Sequence, residues 1–153
     1  MNTKTKFGKI TAVICLGLLL ASCATAMVEG EKWLNSKQGN PEVNISGTWL
    51  SSEWGLAKFE QNEREVTGTL GDYPVKGVVS GSSIYLLMWW GNKADYSAEL
   101  KALDKDTLQG SYCKYSIIDE LQEKARQEEE AGKLSESRPL IKSISLKRTS
   151  TSQ

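Results

Sequence analysis

Glu65 to Trp90 reads EVTGTLGDYPVKGVVSGSSIYLLMWW, and this stretch decides the fold. Three short apolar runs are separated by Gly71-Asp72 and Ser80-Gly81-Ser82, residue types that suit tight turns. In the first run Val66, Gly68 and Leu70 alternate with Thr67 and Thr69. In the second, Val75, Gly77 and Val79 share a face. A period of two belongs to a β-strand with one buried face and one wet face. The third run, Ile84 to Trp90, is apolar on both faces. Its outer face is therefore either covered by another part of the chain or part of a contact surface.

The same punctuation extends in both directions. Strands are expected at Ile45–Ser51, Gly55–Gln61, Glu65–Gly71, Pro74–Ser80, Ser83–Trp90, Ala94–Leu103 and Thr107–Tyr115. A spacing of roughly ten residues between turns argues for an antiparallel meander rather than βαβ units. Tyr96, Ala98 and Leu100 alternate with Ser97, Glu99 and Lys101, and Leu108, Gly110 and Tyr112 with Gln109 and Ser111. Gly68, Gly77 and Gly110 lie inside strands, where they permit the sharp coiling of a small barrel. The period changes at 116–133. Ser116 with Asp119 fits a capping box, and Ile117, Ile118, Leu121 and Ala125 form a narrow apolar stripe on a charged helix. The run Glu128-Glu129-Glu130 reads as a solvated face. A last strand over Leu140–Arg148 closes a mainly β barrel of about eight strands, with one helix before the last strand. Closure removes the exposed sheet edges. Residues 149–153 form a frayed tail.

The first 22 residues read differently. Lys4, Lys6 and Lys9 precede an apolar run of eleven residues, Ile10 to Leu20, and no acid is present. A membrane-spanning helix needs about 20 apolar residues, so this run suits the core of a signal peptide. The order Leu20-Ala21-Ser22-Cys23 resembles the lipobox of bacterial lipoproteins. That resemblance implies cleavage before Cys23, a diacylglycerol on its thiol, and acylation of the new N-terminus with chains such as palmitate. Two or three acyl chains hold a protein firmly on a membrane. Ala24 stands where an aspartate retains enterobacterial lipoproteins at the inner membrane, which implies the periplasmic face of the outer membrane in a cell that has one.

Composition narrows the chemistry. The 153 residues suit one domain, and without the three leader lysines 16 basic residues face 19 acidic ones. Such a balance gives no basic face for nucleic acid. There is no histidine, which removes histidine triads and the usual zinc sites. Of the three cysteines, Cys15 lies in the leader, Cys23 is consumed by lipid, and Cys113 is left as a packing residue. No motif calls for a metal or a cofactor. Carboxylates at Glu53, Glu60, Asp72 and Asp95 show no spacing that singles out a catalytic pair, so an enzyme is not expected.

Residues 23–44 read as the lipidated cysteine and a flexible tether, with Gly30, Gly39 and Pro41 as breakers. Within it, residues 28–36 make one or two helical turns. Trp33 and Leu34 either dock on the domain, or Trp33 sits at the membrane interface.

Gly47-Thr48-Trp49 in the first strand, Val66-Thr67-Gly68-Thr69-Leu70-Gly71, and the late helix before a final strand together resemble the calycins, the superfamily of lipocalins and avidins. The resemblance covers about 100 residues, and a lipocalin-type Thr-Asp-Tyr segment is missing from it. It implies a ligand-binding barrel, and the missing segment implies one that is shallower or lacks a cavity. On that reading Trp49, Trp54, Tyr85, Trp89 and Tyr96 line a pocket for a small apolar ligand. The competing reading is a barrel filled by its own tryptophans, which then serves as an envelope protein–protein interaction module or a protease inhibitor.

Overall fold

A computed structural model describes residues 29–149 with the exception of Tyr115. The expected signal peptide, Cys23 and the residues beyond Thr149 lie outside the described residues. The eight strands are β1 (Gly47–Ser51), β2 (Gly55–Asn62), β3 (Glu65–Leu70), β4 (Tyr73–Ser80), β5 (Ser83–Trp90), β6 (Lys93–Asp104), β7 (Thr107–Lys114) and β8 (Lys142–Arg148). Each pairs antiparallel with its neighbour, and β8 returns to β1, so the sheet closes as a barrel. The described part of helix α1 covers residues 29–36, and α2 (Ile118–Glu130) precedes β8. The mainly β meander closed by eight strands, with a helix before the last, is thus observed.

The alternation seen in the sequence sorts side chains into two cores. Inside the barrel, Trp49, Phe59, Val66, Leu70, Val79, Ile84, Leu86, Met88, Leu100, Leu108 and Leu146 belong to one continuous buried cluster. The barrel is filled. Outside it, Leu87, Val78 and Cys113 project from β5, β4 and β7 and are buried with Trp33 and Leu34 of α1 and Ile118 of α2. This resolves the two-faced strand. β5 is apolar outward because two helices cover it, and burial of that face is worth ~25 cal/mol per Å².

Residues 29–44, expected as part of a flexible tether, are instead fastened to the barrel. Trp33 and Leu34 are buried, and the Trp33 ring meets Tyr85 edge-on at 5.7 Å. Gly30 packs so closely that a Cβ there would stand 2.9 Å from a Leu87 methyl. Further on, Pro41 bridges to Gly81, and the Glu42 N–H donates to the Gly81 carbonyl at 2.9 Å. The glycines and proline that signalled a linker serve close packing and a pinned loop.

The α2 cap also differs from expectation. Ile117 is the N-cap and makes no side-chain cap. Asp119 is drawn away to pair with Lys37, and the Ser116 carbonyl accepts from the Ser97 hydroxyl at 2.7 Å and the Cys113 thiol at 3.2 Å. The glutamate run is more than a wet face. Glu128 accepts from the hydroxyls of Ser135 and Ser137, and Glu129 pairs with Arg138 at 2.8 Å. Exposed pairs of this kind contribute ~0–1 kcal/mol each, so the buried Ile118 and Ala125 hold the helix down. Leu140, expected inside the last strand, lies in a 3₁₀ turn (Arg138–Leu140) and is exposed.

One end of the barrel is sealed by Ile45, Trp49 and Arg148. The Trp49 indole N–H donates to the Ile45 carbonyl at 2.9 Å, and the Arg148 guanidinium lies 4.1 Å over the indole ring. Arg148 also donates to the carbonyls of Ser46 at 2.6 Å and Lys105 at 2.9 Å. Trp49→Ala is expected to lower the unfolding free energy by ~3–5 kcal/mol and Arg148→Ala by ~1–3 kcal/mol, measured by denaturant titration. A midpoint unchanged by either substitution would remove that side chain from the seal.

Candidate functional site

Turns of a meander alternate between the two ends of the barrel, so the β1–β2, β3–β4 and β5–β6 turns meet at one end. This end is opposite the Trp49 seal, and it is aromatic. The β1–β2 turn is set by Ser51, whose Oγ accepts from the N–H groups of Glu53 and Trp54 at 3.3 and 3.4 Å. The turn folds Trp54 over the mouth. There its ring meets Tyr73 at 5.5 Å, Tyr96 at 4.9 Å and Tyr112 at 5.2 Å, each close to edge-on. Such pairs add ~0.5–1.5 kcal/mol apiece beyond burial, so Trp54 serves as the hub of a stiff lid. The β3–β4 turn crosses directly under the Trp54 backbone. Gly71 adopts φ +57°, its N–H donates to Leu56 at 2.9 Å, and a Cβ there would stand 2.6 Å from the Trp54 carbonyl oxygen.

The rim of this mouth is exposed. Trp90 leans on Tyr73 at 5.6 Å yet keeps 64% of its surface in solvent. Leu56 and Leu50 face each other across β1 and β2 and are 48% and 53% exposed. A groove of about 430 Å³ runs between Leu56 and Tyr73, lined also by Glu53, Trp54, Gly71 and Asp72. On the other side of the mouth, Lys114 lies 5.3 Å over the Tyr96 ring and 3.9 Å from Asp95.

Burial pushes the Tyr73 hydroxyl above its ordinary pKa, reinforced by the neighbouring Tyr96 and by Asp95, and opposed by Lys114. Burial likewise raises Tyr112, aided by the charge and hydrogen bonding of Glu53. Both rings stay neutral at ordinary pH. Burial also raises the Cys113 thiol, against the hydrogen bonds it shares with Ser97 and Ser116. That thiol sits in the helix-covered core, on the opposite face of the wall from Tyr112.

The five residues expected to line one pocket occupy three places. Trp54 and Tyr96 meet in the mouth. Trp49 is 1% exposed and sits inside the barrel at the sealed end. Tyr85 and Trp89 lie on the outer face among the residues packed under the helices, and the buried Trp89 indole N–H has no hydrogen-bond partner. The expected pocket is therefore not assembled: neighbouring strand residues point to opposite sides of the wall, and the two hairpin ends are a barrel's height apart. Sequence reasoning did not single out Tyr73, Trp90, Tyr112 or Glu53 for the mouth. The available signal was turn parity, since Trp54, Tyr73 and Trp90 all flank turns at the same end. Of the four carboxylates considered for catalysis, Glu53 and Asp72 border the groove, Asp95 pairs with Lys114, and Glu60 is exposed on β2.

The sealed end carries a second recess of about 630 Å³. Val43, Ile45, Trp49, Leu108 and Arg148 contribute to it, as do Asp104 and Asp106. The Asp106 N–H donates to Asp104 at 2.8 Å, which helps hold the Asp104 carboxyl below its usual range.

Comparison of the chain with protein-family models, with curated proteins and with solved structures gave no match.

The mouth tyrosines make a pH prediction. Their folded pKa values lie above the ordinary 10.0, so an unfolded chain ionises first. Their contribution to stability is full below pH 10.0 and is lost as pH rises through the folded values. Tyrosinate absorbance should show a late-titrating class that disappears in Tyr73→Phe/Tyr112→Phe. A single titration at the free-tyrosine value would contradict the packed mouth.

Proposed function

We propose that this chain is a cell-envelope lipoprotein, held by acyl chains on Cys23, whose barrel is a non-catalytic module that acts by surface contact. In a cell with two membranes its place is the periplasmic face of the outer membrane. The anchoring half rests on the basic leader, the short apolar run and Leu20-Ala21-Ser22-Cys23. The contact half rests on one observation: the barrel interior is filled by its own side chains, while the rim bears exposed Trp90, Leu56 and Leu50. Monomeric domains seldom leave such side chains together in water unless the surface has a use.

A second reading is favoured by the recess at the sealed end, where Val43, Ile45 and Leu108 border a space of about 630 Å³. That volume suits a small apolar ligand, which makes the protein a carrier with its site at the barrel's base rather than in its interior.

Two measurements test these readings. Cys23→Ala should leave the protein as an uncleaved precursor or release it from membranes. A normally processed form of that variant in the membrane fraction would end the lipoprotein reading. Native mass spectrometry of the protein from its own envelope, before and after solvent extraction, separates the two domain roles. A clean polypeptide-plus-acyl mass fits the contact module. A further mass lost on extraction assigns the carrier role.

A further inference from the structure

We propose that the aromatic mouth faces the lipid bilayer, so that the anchored barrel stands with its Trp90 rim in the headgroup zone and its Trp49–Arg148 end outermost. This rests on acylation of Cys23 and names the partner of the contact surface.

The course of the chain carries the inference. The described part of helix α1 starts near the mouth: Glu29 and Gly30 border a small recess shared with Ala94, Asp95 and Tyr96 of β6. Tyr96 is itself a member of the mouth cluster. The helix then descends the outer face, with Leu34 in the core that covers β5. It delivers the chain to the opposite end, where Arg64 donates to the Lys37 carbonyl and Pro41 bridges Gly81. Glu29, the first described residue, therefore lies on the mouth side.

Reach then limits the geometry. Cys23 and Glu29 are six residues apart in the sequence, a span of ~20 Å at full extension. An eight-residue strand such as β5 is ~26 Å long and, tilted ~35–45° in a barrel, spans ~20 Å of its height, so the tether only at full extension matches the height of the barrel. With the lipid-bearing residue this close, the mouth is held at the bilayer at a high effective concentration and the sealed end is held away.

The rim has the chemistry of a membrane interface. Tryptophan and tyrosine favour the headgroup layer, where an apolar ring body and a polar N–H or O–H are both accommodated. Trp90, Tyr73 and Trp54 supply the rings, and Leu56 and Leu50 supply aliphatic surface. Acids and bases both surround them: Glu53, Asp72 and Asp95 against Lys93 and Lys114. A mixed rim does not depend on anionic lipid, and zwitterionic bilayers should suffice.

The test uses acylated full-length protein, purified from membranes and reconstituted in phosphatidylcholine–phosphatidylethanolamine vesicles. Cysteines are introduced singly as Asn92→Cys, in the exposed β5–β6 turn at the mouth, and Leu103→Cys, exposed on β6 towards the other end. Each is labelled with an environment-sensitive dye, and the native Cys113 thiol is buried. The expected result is a blue-shifted label at Asn92 that lipid-borne quenchers reach, and a water-like label at Leu103 that they do not. Trp90→Ser should return at least about half of the Asn92 signal to its aqueous value. Two water-like labels on a vesicle-bound protein would overturn the orientation while leaving the anchor intact, and would free the mouth for a protein partner. Protein that carries no acyl mass would overturn the anchor and the orientation together.

Discussion

The Arg148 guanidinium on the Trp49 ring is the contact on which the closed barrel depends. Closure joins the first strand to the last, and that seam is short. It pairs Trp49 with Arg148, Leu50 with Lys147 and Ser51 with Leu146, whereas β6 and β7 pair along most of their lengths. The seam therefore carries few ladder hydrogen bonds, and side chains supply the remainder. Arg148 spans three segments at once. It stacks at 4.1 Å on Trp49, donates to Ser46 before β1, and donates to Lys105 in the β6–β7 turn. A lysine has no planar fork to do all three, so the position is chemically narrow. With the seam shut, no sheet edge is left to pair with another chain.

A closed and filled barrel creates a second requirement. β5 is apolar on both sides, and only its inner side is served by the barrel core. Its outer side takes Tyr85, Leu87 and Trp89 into a separate cluster under α1 and α2. Both helices are therefore structural members of the domain. Their course matters because it fixes on which side of the barrel Glu29, the first described residue, lies. The Lys37–Asp119 pair and the Lys37 ammonium 4.3 Å over Tyr85 tie α1 to α2 and to the sheet at one point.

Much of this was legible in the sequence. Alternation at Val66-Thr67-Gly68-Thr69-Leu70 and the turn residues after it place a strand and its faces without ambiguity, because a one-residue slip would bury threonine and expose leucine. In residues 29–44 the helical turns and the docking of Trp33 and Leu34 were among the expectations, but the flexible tether was misread for a physical reason. Gly30, Gly39 and Pro41 are the usual marks of a linker, but Gly30 serves a close helix–sheet approach that becomes visible only when Leu87 is in place beneath it. The same holds for Asp119. Its local pattern suits a cap, and a lysine 82 positions away outcompetes the cap. Local chemistry names candidates, and long-range packing selects among them. The expected pocket was not assembled for the same reason: Trp49 lies at the sealed end, and Tyr85 and Trp89 face the helices outside the wall.

The asymmetry between the two ends links the fold to its use. At the sealed end, aromatic surface is consumed: Trp49 is covered by Arg148, and its indole N–H is satisfied by Ile45. At the mouth, aromatic rings pack in a chain from Tyr112 through Trp54 to Tyr73, and the chain ends on Trp90 in solvent. Folding alone does not require that last ring to be exposed, since the rings beneath it already cover the core. The tyrosine hydroxyls beneath are neutral at ordinary pH in any case, and burial moves their ionisation higher still. A filled interior makes the platform stiff, and stiffness lowers the entropic cost of presenting the rim to whatever it meets. With Cys23 acylated as proposed, the six positions between it and Glu29 would make the mouth the end of the barrel nearest the membrane.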